Sequence, residues 1–138
     1  MIVADTNVVS EFMRERPDPS VAAWAAALKA GDLTISVITV EEIERGLAGL
    51  SAGRRRRELE RRWRQLVDAY ADTVLCYDMP AAQATAHVLV SRASAGFPMS
   101  LADAEIAGIC ISRQCHVATR NVRDFEGIKG LTVVNPFD

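Results

Sequence analysis

The sequence predicts an α/β domain built around a mostly parallel sheet. Three observations support this. Short apolar runs alternate with segments of helical periodicity, the pattern of strands joined by crossover helices. The 138 residues suit one domain spanning 1–138 rather than two. Acidic residues fall just beyond the apolar runs, where an open parallel sheet presents its ligands.

Each element has a local reason. Ile2 to Ala4 is a short apolar run that reads as a strand buried on both faces. Asp5, Thr6 and Asn7 are turn and cap types, and Val8 to Met13 then reads as a short helix. Pro17 to Ser20 breaks the chain. Val21, Trp24, Ala25 and Leu28 recur at helical spacing up to Gly31. Leu33 to Ile38 is β-branched and reads as the second strand. Thr39 and Glu42 match a capping box ahead of Ile43 and Leu47, so a helix is expected to begin at Thr39. Arg54 to Tyr70 reads as a long charged helix with Leu59, Trp63, Leu66 and Val67 on one face. Val74 to Tyr77 reads as the third strand. Pro80 opens the next helix. Ser100 caps another that carries Asp103 in its first turn and runs to about Arg113. Val117 to Thr119 and Leu131 to Val134 complete a sheet of five strands.

Composition narrows the function. Hydrophobic residues make up 49% and charged residues 25%, the mix of an ordinary globular domain. The formal net charge of −2 supplies no global basic field, so any nucleic-acid contact must rest on local patches. The three cysteines show no C-x-x-C spacing and are read as buried thiols of a reducing compartment. No basic n-region opens the chain, and no apolar run approaches the roughly 20 residues a membrane helix needs. A cytoplasmic protein is expected.

The acids carry the chemistry. Asp5 follows the first strand, and Glu42 lies one turn into the helix after the second. Asp103 heads a helix leading to the fourth strand, and Asn121 or Asp124 follows that strand. A crossover helix runs back against its strands, which brings these positions to one edge. Converging carboxylates repel one another, and a divalent cation removes that cost. A set of hard oxygen donors, with neither Cys nor His, selects Mg²⁺ or Mn²⁺ over zinc. Such an ion activates a water and neutralises charge building on a phosphate. Each acid also has a plainer reading. Asp5 is an N-cap type, Glu42 half of a capping box, and Asp103 a first-turn acid favoured by the helix dipole. Glu41, Glu44 and Glu105 read as solvated helix acids. The run Arg54 to Arg57, with Arg61, Arg62 and Arg64, reads either as a face paired with Glu58 and Glu60 or as a phosphate-binding surface.

Two other acidic α/β classes fit less well. A phosphoaspartate phosphatase wants a second acid two residues after its nucleophile, where this chain has Asn7. A receiver domain wants its Asp at the end of a middle strand and a supporting Lys, and Lys129 stands in no such motif. A dinucleotide binder is disfavoured by the absence of G-x-G-x-x-G after a strand.

Four stretches together resemble the PIN-domain family. Ile2 to Ser10 is similar to its first motif, Ser36 to Ile43 with Gly46 to its second, Ser100 to Ala107 to its third, and Ala118 to Phe125 to its fourth. Val134 to Phe137 is similar to the usual ending. The nearest likeness is to VapC-type toxins of VapBC toxin–antitoxin pairs, including the FitB-like branch. This resemblance implies a three-layer α/β/α sandwich and a Mg²⁺- or Mn²⁺-dependent endoribonuclease. It also implies a homodimer, an RNA substrate, a small VapB- or FitA-like antitoxin partner, and contact with DNA only through that antitoxin. It places the catalytic and metal-binding acids at Asp5, Glu42 and Asp103. Of the two candidates for the fourth acidic position, Asp124 is favoured as the catalytic residue and Asn121 as a substrate or water contact. Thr6, Asn7, Thr119, Arg120 and Arg123 would border or support the site. The alternative reading is a catalytically weak PIN-fold module that acts with its antitoxin in autoregulation.

Overall fold

The computed structural model describes residues 1–138. Four parallel strands form the sheet: β1 (Ile2–Ala4), β2 (Leu33–Thr34), β3 (His116–Ala118) and β4 (Val133–Val134), in the order β2-β1-β3-β4. Seven helices cover it: α1 (Thr6–Phe12), α2 (Pro19–Ala27), α3 (Val37–Ala48), α4 (Arg54–Tyr70), α5 (Met79–Ser94), α6 (Leu101–Arg113) and α7 (Val122–Phe125). The register pairs Val3 with Val117 and Ala4 with Ala118.

Side chains alternate across a strand, so these neighbouring residues enter different cores. Ala4 and Ala118 pack with Val8, Val9, Ile43 and Trp63 under α1, α3 and α4. Val3 and Val117 pack with Val88, Ala104, Ala107 and Cys110 under α5 and α6. Two cores on opposite faces of one sheet make the α/β/α sandwich. Trp63 anchors the charged helix α4, and its indole Nε1 donates to Glu44 Oε2 at 3.4 Å.

Four expectations are corrected. The sheet has four strands rather than five, because Val74 to Tyr77 contributes only a single parallel bridge, Ser36 to Leu75. The second strand ends at Thr34, not Ile38. The capping box is displaced as well. Ser36 is the N-cap and its Oγ accepts from the Thr39 N–H at 3.4 Å, so Thr39 is already inside α3 and buried. Ile35, Val37, Ile38 and Thr39 are β-branched and favour a strand by propensity, but Ser36 as N-cap, followed by a buried apolar face on the helix, overrides it. Of the cysteines, Cys110 and Cys115 are buried, whereas Cys76 is exposed.

Three residues of the arginine run are engaged in local pairs, while Arg54, Arg55, Arg57 and Arg64 stay exposed and unpaired. Arg56 binds Glu60, Arg61 and Arg62 bind Glu58, and Arg62 also donates to the Met13 carbonyl. No helix is long and apolar enough to cross a membrane.

Candidate active site

Strand order reverses between β1 and β3, and the carboxyl ends of these two strands are where a ligand is expected. Asp5 leaves β1 there and caps α1. Thr119 leaves β3 beside it. The Asp5 carboxylate is 4% exposed and takes three donors. Its Oδ1 accepts from the Thr6 N–H at 2.8 Å, and its Oδ2 from the Thr119 hydroxyl at 2.9 Å and the Asn7 amide at 3.1 Å. Asn7 in turn accepts through Oδ1 from the Arg120 N–H at 3.0 Å. The Thr119 Oγ accepts from the Asn121 N–H, also at 3.0 Å. The end of β1 is thus tied to the turn after β3 through side chains more than a hundred residues apart.

The start of α3 supplies the second group. The Thr6 hydroxyl donates to Glu42 Oε1 at 2.7 Å and lies 3.2 Å from the Thr39 hydroxyl. Asp103 enters from the first turn of α6, with its N–H donated to Ser100 Oγ at 3.2 Å. Thr39 was not singled out from the sequence as a site residue. Its place three residues after Ser36 was the available signal.

The acids feel one another. Burial, with Asp103 and Glu42 adding repulsion, pushes Asp5 up to about 6 against the hydrogen bonds from Thr119 and Thr6. Asp103 is also raised, first by burial and then by Asp124 and Glu42. Of the two candidates for the fourth acidic position, Asp124 is the one whose charge reaches Asp103. Asn121 is exposed, and its side chain makes no capping bond. Glu105, expected to be simply solvated, is raised by partial burial and by Glu41 and Glu42. Arg120 lies over the Phe137 ring at 4.2 Å, which holds its guanidinium beside this edge.

The donor chemistry suits a hard cation. The gathered groups are carboxylates and hydroxyls, and charging Asp5 and Asp103 together is opposed by burial and repulsion. No three Asp, Glu, His or Cys side chains meet at a common point. A cation that keeps most of its waters requires no such close cage.

A stability test follows from Asp5. Its folded value of about 6 lies above the ordinary 3.8, so between those values the folded chain holds more protons than the unfolded one. Stability from this group is therefore present at low pH and is lost as pH rises through that window. The gap corresponds to roughly 3 kcal/mol. In EDTA, wild type should lose about that much more stability than Asp5→Asn between pH 4 and pH 7. At pH 7, saturating Mg²⁺ should raise the melting temperature of wild type by several degrees and leave Asp5→Asn unchanged. Parallel pH curves for the two proteins would refute this assignment.

The PIN domain profile matches residues 2–131. Plasmid stability protein StbB of Pseudomonas syringae pv. tomato is 38% identical over 139 residues, covering 100% of this chain and 99% of that one. VapC ribonuclease Y4jK of Sinorhizobium fredii is 37% identical with the same coverage. Among solved structures, FitAB bound to the IR36 DNA fragment superposes with a TM-score of 0.91 at 33% identity, covering 100% of this chain and 96% of that one. Whole-length identity and a shared fold lead to one conclusion: this chain belongs to the PIN-domain family, among the VapC-type proteins that include toxin FitB.

Proposed function

We propose that this protein is a metal-dependent endoribonuclease, the toxin of a cytoplasmic toxin–antitoxin pair. The observation that carries the reading is the buried Asp5 carboxylate, raised to about 6 beside Glu42 and Asp103 at the edge where strand order reverses. The VapC-type relatives, one of them named a ribonuclease, support the activity.

Asp5, Glu42 and Asp103 would hold Mg²⁺ or Mn²⁺, with Asp124 closing the set. When bound, such an ion activates water and offsets charge developing on the phosphate under attack. Thr119 and Asn7 fix the Asp5 carboxylate, so its orientation is settled before substrate arrives. The Thr6 hydroxyl fixes Glu42 in the same way. Arg120, propped on Phe137, and Arg123 present cations to RNA phosphates. Incubation with RNA should give cleavage with Mg²⁺ or Mn²⁺ and none in EDTA. RNA left intact under every metal condition would leave the binding-module reading in place.

The antitoxin reading has its own surface. A cleft of about 420 Å³ lies between the end of α2, the β2 edge and the C-terminal half of α4, lined mainly by Phe12, Leu28, Leu33, Leu66 and Tyr70. A cleft of this kind suits the apolar face of a partner helix. Leu28→Asp should weaken binding to the product of the adjacent upstream gene at least about tenfold, as loss of a central apolar anchor does, and relieve inhibition in proportion. Titration calorimetry would measure it, and unchanged affinity would place the antitoxin elsewhere. Homodimerisation is part of the same reading.

A further inference from the structure

Next to the carboxylates lies a larger hollow, of about 960 Å³, between the segment 95–98 and α7. Phe97 and Pro98 form one wall, and Arg123 and Asp124 the other. Asp124 lines the hollow and, in the first turn of the helix that follows β3, is also the candidate fourth acid of the site. The hollow therefore shares one residue, Asp124, with the candidate active site.

Its walls are tied together. Arg92, in the last turn of α5, donates through Nε to the Phe97 carbonyl at 2.9 Å and through Nη1 to the Glu126 carbonyl at 2.6 Å. A longer contact of 3.5 Å reaches the Arg123 carbonyl. One guanidinium thus bridges the loop before α6 and the end of α7. All three acceptors are backbone, which leaves the side chains of both walls unengaged by Arg92.

Phe97 is the only Phe, Tyr or Trp side chain the fold leaves exposed, at 67%. Arg123 is exposed and joins none of the chain's ion pairs. An uncovered ring and an unpaired cation flank a groove whose shape is already set. Single-stranded nucleic acid takes this combination, since its bases stack on rings while its phosphates meet cations.

We infer that this hollow is a subsite for one unpaired nucleotide of the RNA strand, its base stacked on Phe97 and its phosphate held by Arg123. The inference rests on the ribonuclease reading and deepens it. It implies a preference for loops and single strands, because a paired base offers no free face to the ring.

Binding is measured by fluorescence anisotropy in EDTA, with a labelled single-stranded RNA of about ten nucleotides and a blunt RNA duplex as probes. Phe97→Ala should weaken single-strand binding roughly tenfold, and Phe97→Trp should restore it. Duplex binding should change little. Arg123→Ala should reduce the slope of log affinity against log salt by about one. In Mg²⁺ the Phe97→Ala loss should fall on KM more than on kcat. Unchanged single-strand affinity in Phe97→Ala would overturn the subsite. So would sedimentation showing that Phe97→Ala dissociates a dimer while RNA affinity holds, since the ring would then face a second copy of the chain. If wild type cleaves RNA and Phe97→Ala binds as well as wild type, only the subsite fails. If wild type binds without cleaving and Phe97→Ala weakens that binding, the subsite stands and the nuclease reading fails. If wild type neither binds nor cleaves, both fall.

Discussion

Asp5→Asn should reduce RNA cleavage at least about a hundredfold, because removing even an outer partner of a metal ligand costs roughly 10–100-fold. The substitution keeps the shape of the side chain and removes its charge. One amide oxygen can still accept from the Thr6 N–H, so the cap of α1 persists. What disappears is the buried negative charge that the Thr119 hydroxyl and Asn7 amide are oriented to hold. Glu42→Gln and Asp103→Asn should be comparably damaging. At the fourth position the two candidates separate. Asp124→Asn should cost more activity than Asn121→Ala, since the charge facing Asp103 comes from Asp124. The measurement is the initial rate on a defined RNA at saturating Mg²⁺, alongside circular dichroism to verify folding. Equal rates for wild type and Asp5→Asn would show that cleavage arises elsewhere.

Gly108→Ala should be among the most destabilising single changes in the chain, about 3 kcal/mol or more before compensation. Gly108 sits where α6 crosses α5. A Cβ placed there would overlap the Thr85 hydroxyl, come within 2.6 Å of the Ala81 carbonyl oxygen and 3.0 Å of the Thr85 nitrogen. Two of those three atoms are backbone, so no rotamer change relieves the clash. The Thr85 hydroxyl is itself fixed, donating to the Ala81 carbonyl at 2.8 Å and lying 3.3 Å from the Ala104 carbonyl. Alanine in place of glycine in a helix ordinarily gains about 1 kcal/mol. The clash exceeds that gain, and a net loss of at least 2 kcal/mol lowers the melting temperature by roughly 6 °C or more in a domain of this size. Adding Thr85→Ala should recover part of the loss but not all, because the Ala81 carbonyl remains. Calorimetry of the single and double variants gives the coupling. An unchanged melting temperature for Gly108→Ala would mean that the two helices separate freely. The effect reaches the site, because α6 also carries Asp103.

The positions of the candidate site's acids could be read from the chain. Asp5, Asp103 and Ser100 are cap and first-turn residues, and such positions are set within a few residues of sequence. Their approach to one edge follows from parallel topology, in which every crossover returns the chain to the same side. The second motif was harder. Thr39 and Glu42 satisfy the capping-box pattern, yet Ser36 takes the cap, and Thr39 turns inward to the Thr6 hydroxyl. Two hydroxyl residues three apart, each followed three residues later by a polar side chain, cannot be ranked by local rules. The strand expected at Val74 to Tyr77 fails for a related reason. Its composition suits a strand, but pairing requires a neighbour, and only Ser36 and Leu75 come into register. Phe97 gave no sign at all, since an aromatic between glycine and proline is compatible with burial or exposure.

From the amino-acid order alone came the α/β class, the starts of α4, α5 and α6, the acids and the four family motifs, all of which depend on neighbours close along the chain. The folded arrangement was needed for the four-strand count, the inward turn of Thr39, the pressure of Asp124 on Asp103, the close crossing at Gly108 and the tie that Arg92 makes between two loops. These join residues far apart in the chain, and their energies exist only once packing has brought the partners within a few ångströms.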